Sequence, residues 1–131
     1  MNKSELLRAE WQPRILSVVR IVVALLFLQH GLVKIFGFPV AGPASLSSLL
    51  MLAAAIEVLG SLLLLVGLFT PAVAFIMSGE MAFAYFMSHA PQSFFPIVNR
   101  GEAAILFCFI FLYFAFAGGG PWSVDGRRRR R

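Results

Sequence analysis

Charge, sulfur and imidazole are all scarce in this chain of 131 residues. Asp, Glu, Lys and Arg make up 13% of it, where a soluble domain carries about a quarter. Cys108 is the only cysteine. That excludes an internal disulfide, a C-x-x-C redox pair, c-type haem attachment and a cysteine-based zinc site. Cys108 itself reads as a small apolar residue, buried or lipid-facing. There are two histidines, His30 and His89. A bis-histidine haem is conceivable, but a lone histidine on an apolar helix is more often simply hydrogen-bonded. The Glu-x-x-His spacing of a dinuclear carboxylate metal site is absent, so no metal is expected. No nucleotide-binding motif occurs either.

What is present is apolar. Hydrophobic residues make up 60% of the chain, and the mean hydropathy is +0.86. The expected class is an integral membrane protein of one domain. The net charge of +5 could suggest a nucleic-acid partner, but five of the eleven basic residues form the run Arg127 to Arg131. That run comes directly after an apolar segment, and reads as a cytoplasmic topology anchor facing anionic lipid. No nucleic-acid partner is expected.

A span needs about 20 mostly apolar residues. Four segments qualify: 14–36, 45–67, 71–90 and 97–117. Gly37, Pro39, Gly42 and Pro43 break the chain after the first, with Ser45 as candidate N-cap of the second. Gly67 and Thr70-Pro71 form a tight turn. Pro91 and Pro96 bracket the next loop, Asn99 is a candidate cap of the last span, and Gly118 to Pro121 end it. The first apolar run is too long for a signal-peptide h-region, so it is expected to stay in the protein. Residues 1–13 read as an N-terminal cytoplasmic or interfacial segment, with a short helix and Trp11 at headgroup level. Residues 118–131 read as a basic cytoplasmic tail. Lys3, Arg8, Arg14 and Arg20 flank the first span, while the loop at 37–44 has no basic residue. Both termini are therefore expected in the cytoplasm. The predicted fold is all-α: an integral membrane antiparallel four-helix bundle.

Against this background the charged residues inside the spans stand out. A charge near the bilayer centre costs about 2.5–3.5 kcal/mol. Each needs a partner, a neutral form or a wet cavity. With the expected topology, His30, Lys34, Asn99 and Glu102 lie in the outer half, and Glu57 and Glu80 near the midplane. His30 and Lys34 share a helix face. Glu57 and Ser61 share another, beside Gly60, which allows close helix approach. Lys34 with Glu57 or Glu102 is the obvious ion pair. The candidate polar intramembrane site is therefore His30, Lys34, Glu57, Asn99 and Glu102, with Glu80 less firmly attached. His89, about half a helical revolution from Glu80, is left out. Two readings stay open: an ion-pair network that fixes helix register, or a polar pocket for protons or a polar ligand head. The 14 phenylalanines read mainly as lipid-facing surface, and some could stack on a quinone or another flat ligand.

One set of spacings resembles a known family. It comprises Arg20, His30-Gly31 and Lys34; Ile56-Glu57, Gly60 and Gly67-Leu68-Phe69-Thr70; and Asn99-Arg100-Gly101-Glu102-Ala103. It ends with Gly118, Gly120-Pro121-Trp122-Ser123-Val124-Asp125. Together these resemble the DoxX family, over roughly residues 14–126. The resemblance implies a four-helix, multi-pass protein of the bacterial inner membrane, with Arg20, Lys34, Glu57, Asn99 and Glu102 matching the family pattern. It implies function loosely, because fold and family do not fix function. Relatives include a subunit of a thiosulfate:quinone oxidoreductase and proteins linked to quinone or oxidative stress. More distant ones look like membrane chaperones or cargo receptors.

The expected function is a subunit or accessory of a quinone-linked oxidoreductase or oxidative-stress system. It would hold a quinone head or relay protons, while the redox chemistry belongs to a cofactor or partner chain. No self-contained catalytic motif is evident, and quinone is the one cofactor implied. The alternatives are a non-enzymatic membrane chaperone or assembly factor and, less favoured, a small proton-coupled transporter. The expected partners are the lipid bilayer, a redox partner protein and, through Gly60, Gly67 and Ala53 to Ala55, a second copy of the chain.

Overall fold

The computed structural model describes residues 1–129; the last two arginines of the terminal run lie outside it. Every element among the described residues is helical. Helix α1 spans Lys3–Phe36, α2 Ser48–Val66 and α3 Thr70–Ala84. A π-helical turn, Tyr85–His89, and a 3-10 turn, Ala90–Gln92, continue α3. A single turn, α4 (Pro96–Asn99), precedes α5 (Glu102–Ala117), and α6 (Val124–Arg128) lies in the tail. Among the described residues three helical stretches are long and apolar enough to cross a membrane: Lys3–Phe36, Ser48–Val66 and Thr70–Gln92. Helix α5 is apolar but has 16 residues, or about 24 Å of rise.

The chain divides into two compact units. One comprises Met1–Thr70 with the segment from Gly119 onward, and the other Pro71–Gly118.

In the first unit, α1 begins ahead of the 14–36 span, at Lys3. Asn2 and Glu5 form a capping box: the Glu5 N–H donates to Asn2 Oδ1 at 2.9 Å and the Asn2 N–H to Glu5 Oε2 at 2.8 Å. Good helix formers come next, and Arg14 pairs with Glu10 at 2.9 Å. They carry the helix through Pro13, so no separate interfacial helix exists. Gly37, at φ 60°, closes α1 in the left-handed region. The cap of α2 is Ser47 rather than Ser45: its hydroxyl accepts the Leu50 N–H at 3.2 Å. Gly67, at φ 71°, ends α2 with a Schellman-type pair, Gly67 N–H to Leu64 O at 3.1 Å and Leu68 N–H to Leu63 O at 2.9 Å.

Helices α1 and α2 pack closely where side chains are small. A Cβ placed on Gly31 would lie 3.1 Å from the Val58 nitrogen and 3.2 Å from the Ala54 carbonyl oxygen. Ala24, Phe27, Ala54 and Leu64 are buried along the same two helices. In the second unit the buried hydrophobic residues are Ala74, Met77, Met81, Ala104, Phe111 and Phe114. Ser78 there donates to the Cys108 carbonyl at 2.8 Å, and half-buried Cys108 lies against it at 3.5 Å.

Asn99 does not cap α5. It ends α4, Arg100 turns left-handed at φ 59°, and α5 starts after Gly101. The Asn99 carboxamide oxygen accepts the Gly101 N–H at 2.7 Å. That Asx-type turn competes with helix and breaks the expected 97–117 segment at 100–101.

Candidate functional site

Lys34 and Glu57 meet between α1 and α2, where they form a hydrogen-bonded ion pair. Glu57 is 1% exposed and the Lys34 side chain 24% exposed. Helical spacing sets this up. Lys34 lies in the last turn of α1, one turn after Gly31, and Gly31 brings the two helices together. The lysine stem can then lie along apolar surface while its ammonium reaches the carboxylate.

The pair uses Glu57 Oε1 only. Glu57 Oε2 and the Ser61 hydroxyl are both buried and have no hydrogen-bond partner among the described residues. Ser61 is one turn after Glu57 on the same face of α2. His30, one turn before Lys34, packs its ring against Phe27 with centroids 5.5 Å apart. It is within electrostatic reach of Glu57 and Lys34. The first unit thus brings His30, Lys34 and Glu57 together and adds Ser61.

The remaining expected residues belong to the second unit. Glu80 is partly buried on α3. Asn99 is buried at the α4–α5 turn and bonds to Tyr85 Oη, Ser93 O and Gly101 N–H. Glu102 is exposed in the first turn of α5, where a carboxylate faces the positive end of the helix dipole.

A second polar centre surrounds Arg20, which is 0% exposed. Its guanidinium donates to the carbonyls of Gly119 and, at 2.8 Å, of Trp122. Ser17 Oγ accepts the Trp122 N–H at 3.1 Å. The tail then runs to the α2–α3 corner. The Asp125 N–H donates to the Gly67 carbonyl at 3.0 Å. The Asp125 carboxylate accepts the N–H groups of Phe69 at 3.0 Å and Thr70 at 2.8 Å, and so caps α3 from a distance. Burial opposes the charge on Asp125, but these amide bonds prevail and hold its carboxyl below the usual carboxylate range. A Cβ on Gly119 would lie 2.9 Å from Ser123 Cβ and 3.0 Å from the Arg20 guanidinium, so only glycine lets the tail come this close.

The Gly-x-Gly-Pro-Trp-Ser-x-Asp stretch is therefore not simply the end of a basic tail. Its backbone carbonyls are the counter-dipoles of a buried arginine. Read from the sequence, Arg20 counts among the topology-setting cations. An arginine inside an apolar run signals a need for acceptors, but main-chain carbonyls leave no mark of which segment supplies them.

The absence of strands among the described residues, the apolar helices and a buried ion pair between two of them define a helical membrane protein. The DoxX family profile matches residues 15–90. A protein of Haemophilus influenzae, described only as uncharacterized, is 43% identical over 125 residues, covering 90% of this chain and 93% of its own length. The chain belongs to the DoxX family. No solved structure matches it.

Proposed function

We propose that this chain is a four-span protein of the bacterial inner membrane that serves a quinone-linked oxidoreductase or oxidative-stress system. The Lys34–Glu57–Ser61 site, with His30 at its edge, is where a quinone head or protons are handled.

One observation carries this reading. Glu57 Oε2 and Ser61 Oγ are buried without a hydrogen-bond partner among the described residues. An unsatisfied buried polar group costs about 1–3 kcal/mol. Register alone needs only the Lys34–Glu57 pair, so two further orphaned atoms on one helix face point to a polar ligand. They fit a quinone head: the Ser61 hydroxyl can donate to a ring carbonyl oxygen, and Glu57 Oε2 can hold or release a proton beside it. A bound quinone would supply the electron-carrying ring. The Ser61 hydroxyl and Glu57 would hold its oxygen, with Lys34 paired to the same carboxylate.

The orientation with both termini cytoplasmic has support in the first unit. The tail packs on α1, where a Cβ on Gly120 would lie 2.9 Å from the Pro13 carbonyl oxygen. Arg14 and Arg127 to Arg129 therefore belong to one end of that unit, as the positive-inside bias requires.

The test is quinone content and quinone binding in the purified protein, wild type against Glu57→Gln and Glu102→Gln. Glu57→Gln should lose most of the signal. No quinone-dependent signal in any form would refute the reading.

A further inference from the structure

The second unit contains a polar node that the Lys34–Glu57 site does not use. Asn99 is 1% exposed, and its carboxamide orientation is fixed by two backbone groups of opposite kind. The Gly101 N–H can only donate, and it meets Oδ1 at 2.7 Å. The Ser93 carbonyl can only accept, and it meets Nδ2 at 2.9 Å. The other Nδ2 hydrogen therefore goes to the Tyr85 hydroxyl at 3.3 Å.

This polarity fixes two further groups. The Tyr85 oxygen is already an acceptor, so its own proton is free to be donated elsewhere. The Asn99 main-chain carbonyl lies 2.9 Å from His89 Nδ1 and can only accept, so Nδ1 carries the ring hydrogen. In the neutral ring Nε2 is then an acceptor. Nε2 makes no hydrogen bond among the described residues, and both side chains are partly exposed.

The two rings are held side by side. Tyr85 and His89 lie four apart on the π-helical turn and stack with centroids 6.3 Å apart at 23°. Gly101 also packs closely on Tyr85, because a Cβ on Gly101 would lie 2.5 Å from its ring. Single π turns are widened helix, often found at functional sites.

We propose that Tyr85 and His89 form a second binding site, for the head of a hydroxylated aromatic ring. A ring hydroxyl donates to His89 Nε2, an oxygen of the same ligand accepts from the Tyr85 hydroxyl, and Asn99 fixes both polarities. For the ligand's identity this rests on the quinone reading, which it sharpens: the site selects the reduced, quinol form. A quinone has no hydrogen to offer Nε2 and should bind about fivefold more weakly, the worth of one net hydrogen bond.

The experiment uses the purified full chain in lipid nanodiscs, with ubiquinol-1 and ubiquinone-1 as probes. Ring-nitrogen NMR is recorded at about pH 8.5, above the usual imidazole range. His30→Gln leaves His89 as the sole histidine and assigns its signals. The expected result is an Nδ1–H tautomer whose Nε2 resonance moves with ubiquinol-1 and hardly with ubiquinone-1. Tyr85→Phe should keep the tautomer, which certifies the fold, and weaken ubiquinol-1 about fivefold. An Nε2–H tautomer, a silent Nε2 at saturating ubiquinol-1, or equal affinity for both probes would overturn the proposal. Quinone content that depends on Glu57 with a silent His89 sinks this site alone. A responsive His89 with quinone content indifferent to Glu57 sinks the Glu57 reading alone.

Discussion

Replacing Arg20 with alanine should release the tail. In the folded chain the Arg20 guanidinium donates to the carbonyls of Gly119 and Trp122 from a fully buried position. Hydrogen bonds from a charged donor are worth about 1.5–3 kcal/mol each, net of exchange with water. Two at the low end give ~3 kcal/mol, or on the order of a hundredfold in the ratio of attached to detached tail. The reporters are four amides: Trp122, bonded to Ser17; Asp125, bonded to Gly67; and Phe69 and Thr70, bonded to the Asp125 carboxylate. Hydrogen exchange of the reconstituted protein reads all four. In Arg20→Ala they should exchange on the order of a hundredfold faster, while the middle of α2 keeps its protection. Arg20→Lys should fall between, because a point-charge ammonium does not reproduce the guanidinium fork. Unchanged protection of Trp122 and Asp125 in Arg20→Ala would refute the claim that the arginine holds the tail.

Two further outcomes concern the other charged groups. Lys34→Met should destabilise the protein by about 3–5 kcal/mol, because Glu57 is left buried without its cation, and Lys34→Met/Glu57→Gln should recover most of that. Unfolding in a denaturing detergent series measures both, and a double variant no better than the single one would refute the pairing. Asp125 titrates below the usual carboxylate range, so its cap contributes fully above the unfolded value of about 3.9 and is lost as pH falls through the lower folded value. The melting-temperature gap between wild type and Asp125→Asn should therefore be flat near neutral pH and shrink below about pH 4; a gap that widens on acidification would refute the cap.

Much of the helical layout is legible in the sequence, because glycine and apolar run length act locally. Gly37 and Gly67 end their helices as the chain suggests, and charge scarcity in apolar helix narrows the partner of Lys34 to Glu57 or Glu102, of which the structure pairs it with Glu57. The misses have physical causes. Helix α1 starts well before the expected span at 14–36, because a strong capping box at Asn2 and Glu5 begins it at Lys3. Ser45 and Ser47 are equivalent to a propensity argument, and only the α2 backbone selects between them. Asn99 reads as a cap for the last span, yet its side chain closes the turn at Arg100 and Gly101 instead. The Tyr85–Asn99 contact is silent because it depends on where the turn at Arg100 and Gly101 brings Asn99, 14 residues further on. The Arg20–tail contact is silent because its acceptors are main-chain carbonyls, which every residue has.

That contact also imposes an order of events during synthesis. The Gly119 carbonyl lies 99 residues downstream of the arginine it accepts from. At about 5–20 residues per second, roughly 5–20 s pass between the two leaving the ribosome. For all of that time the guanidinium must be satisfied by water or lipid phosphate instead. The first unit is thus a frame left open while the whole second unit is made, and it shuts only when the Gly-Gly-Gly-Pro-Trp segment emerges. A ribosome that stalls before Gly119 leaves Arg20 in an apolar helix without its tail acceptors.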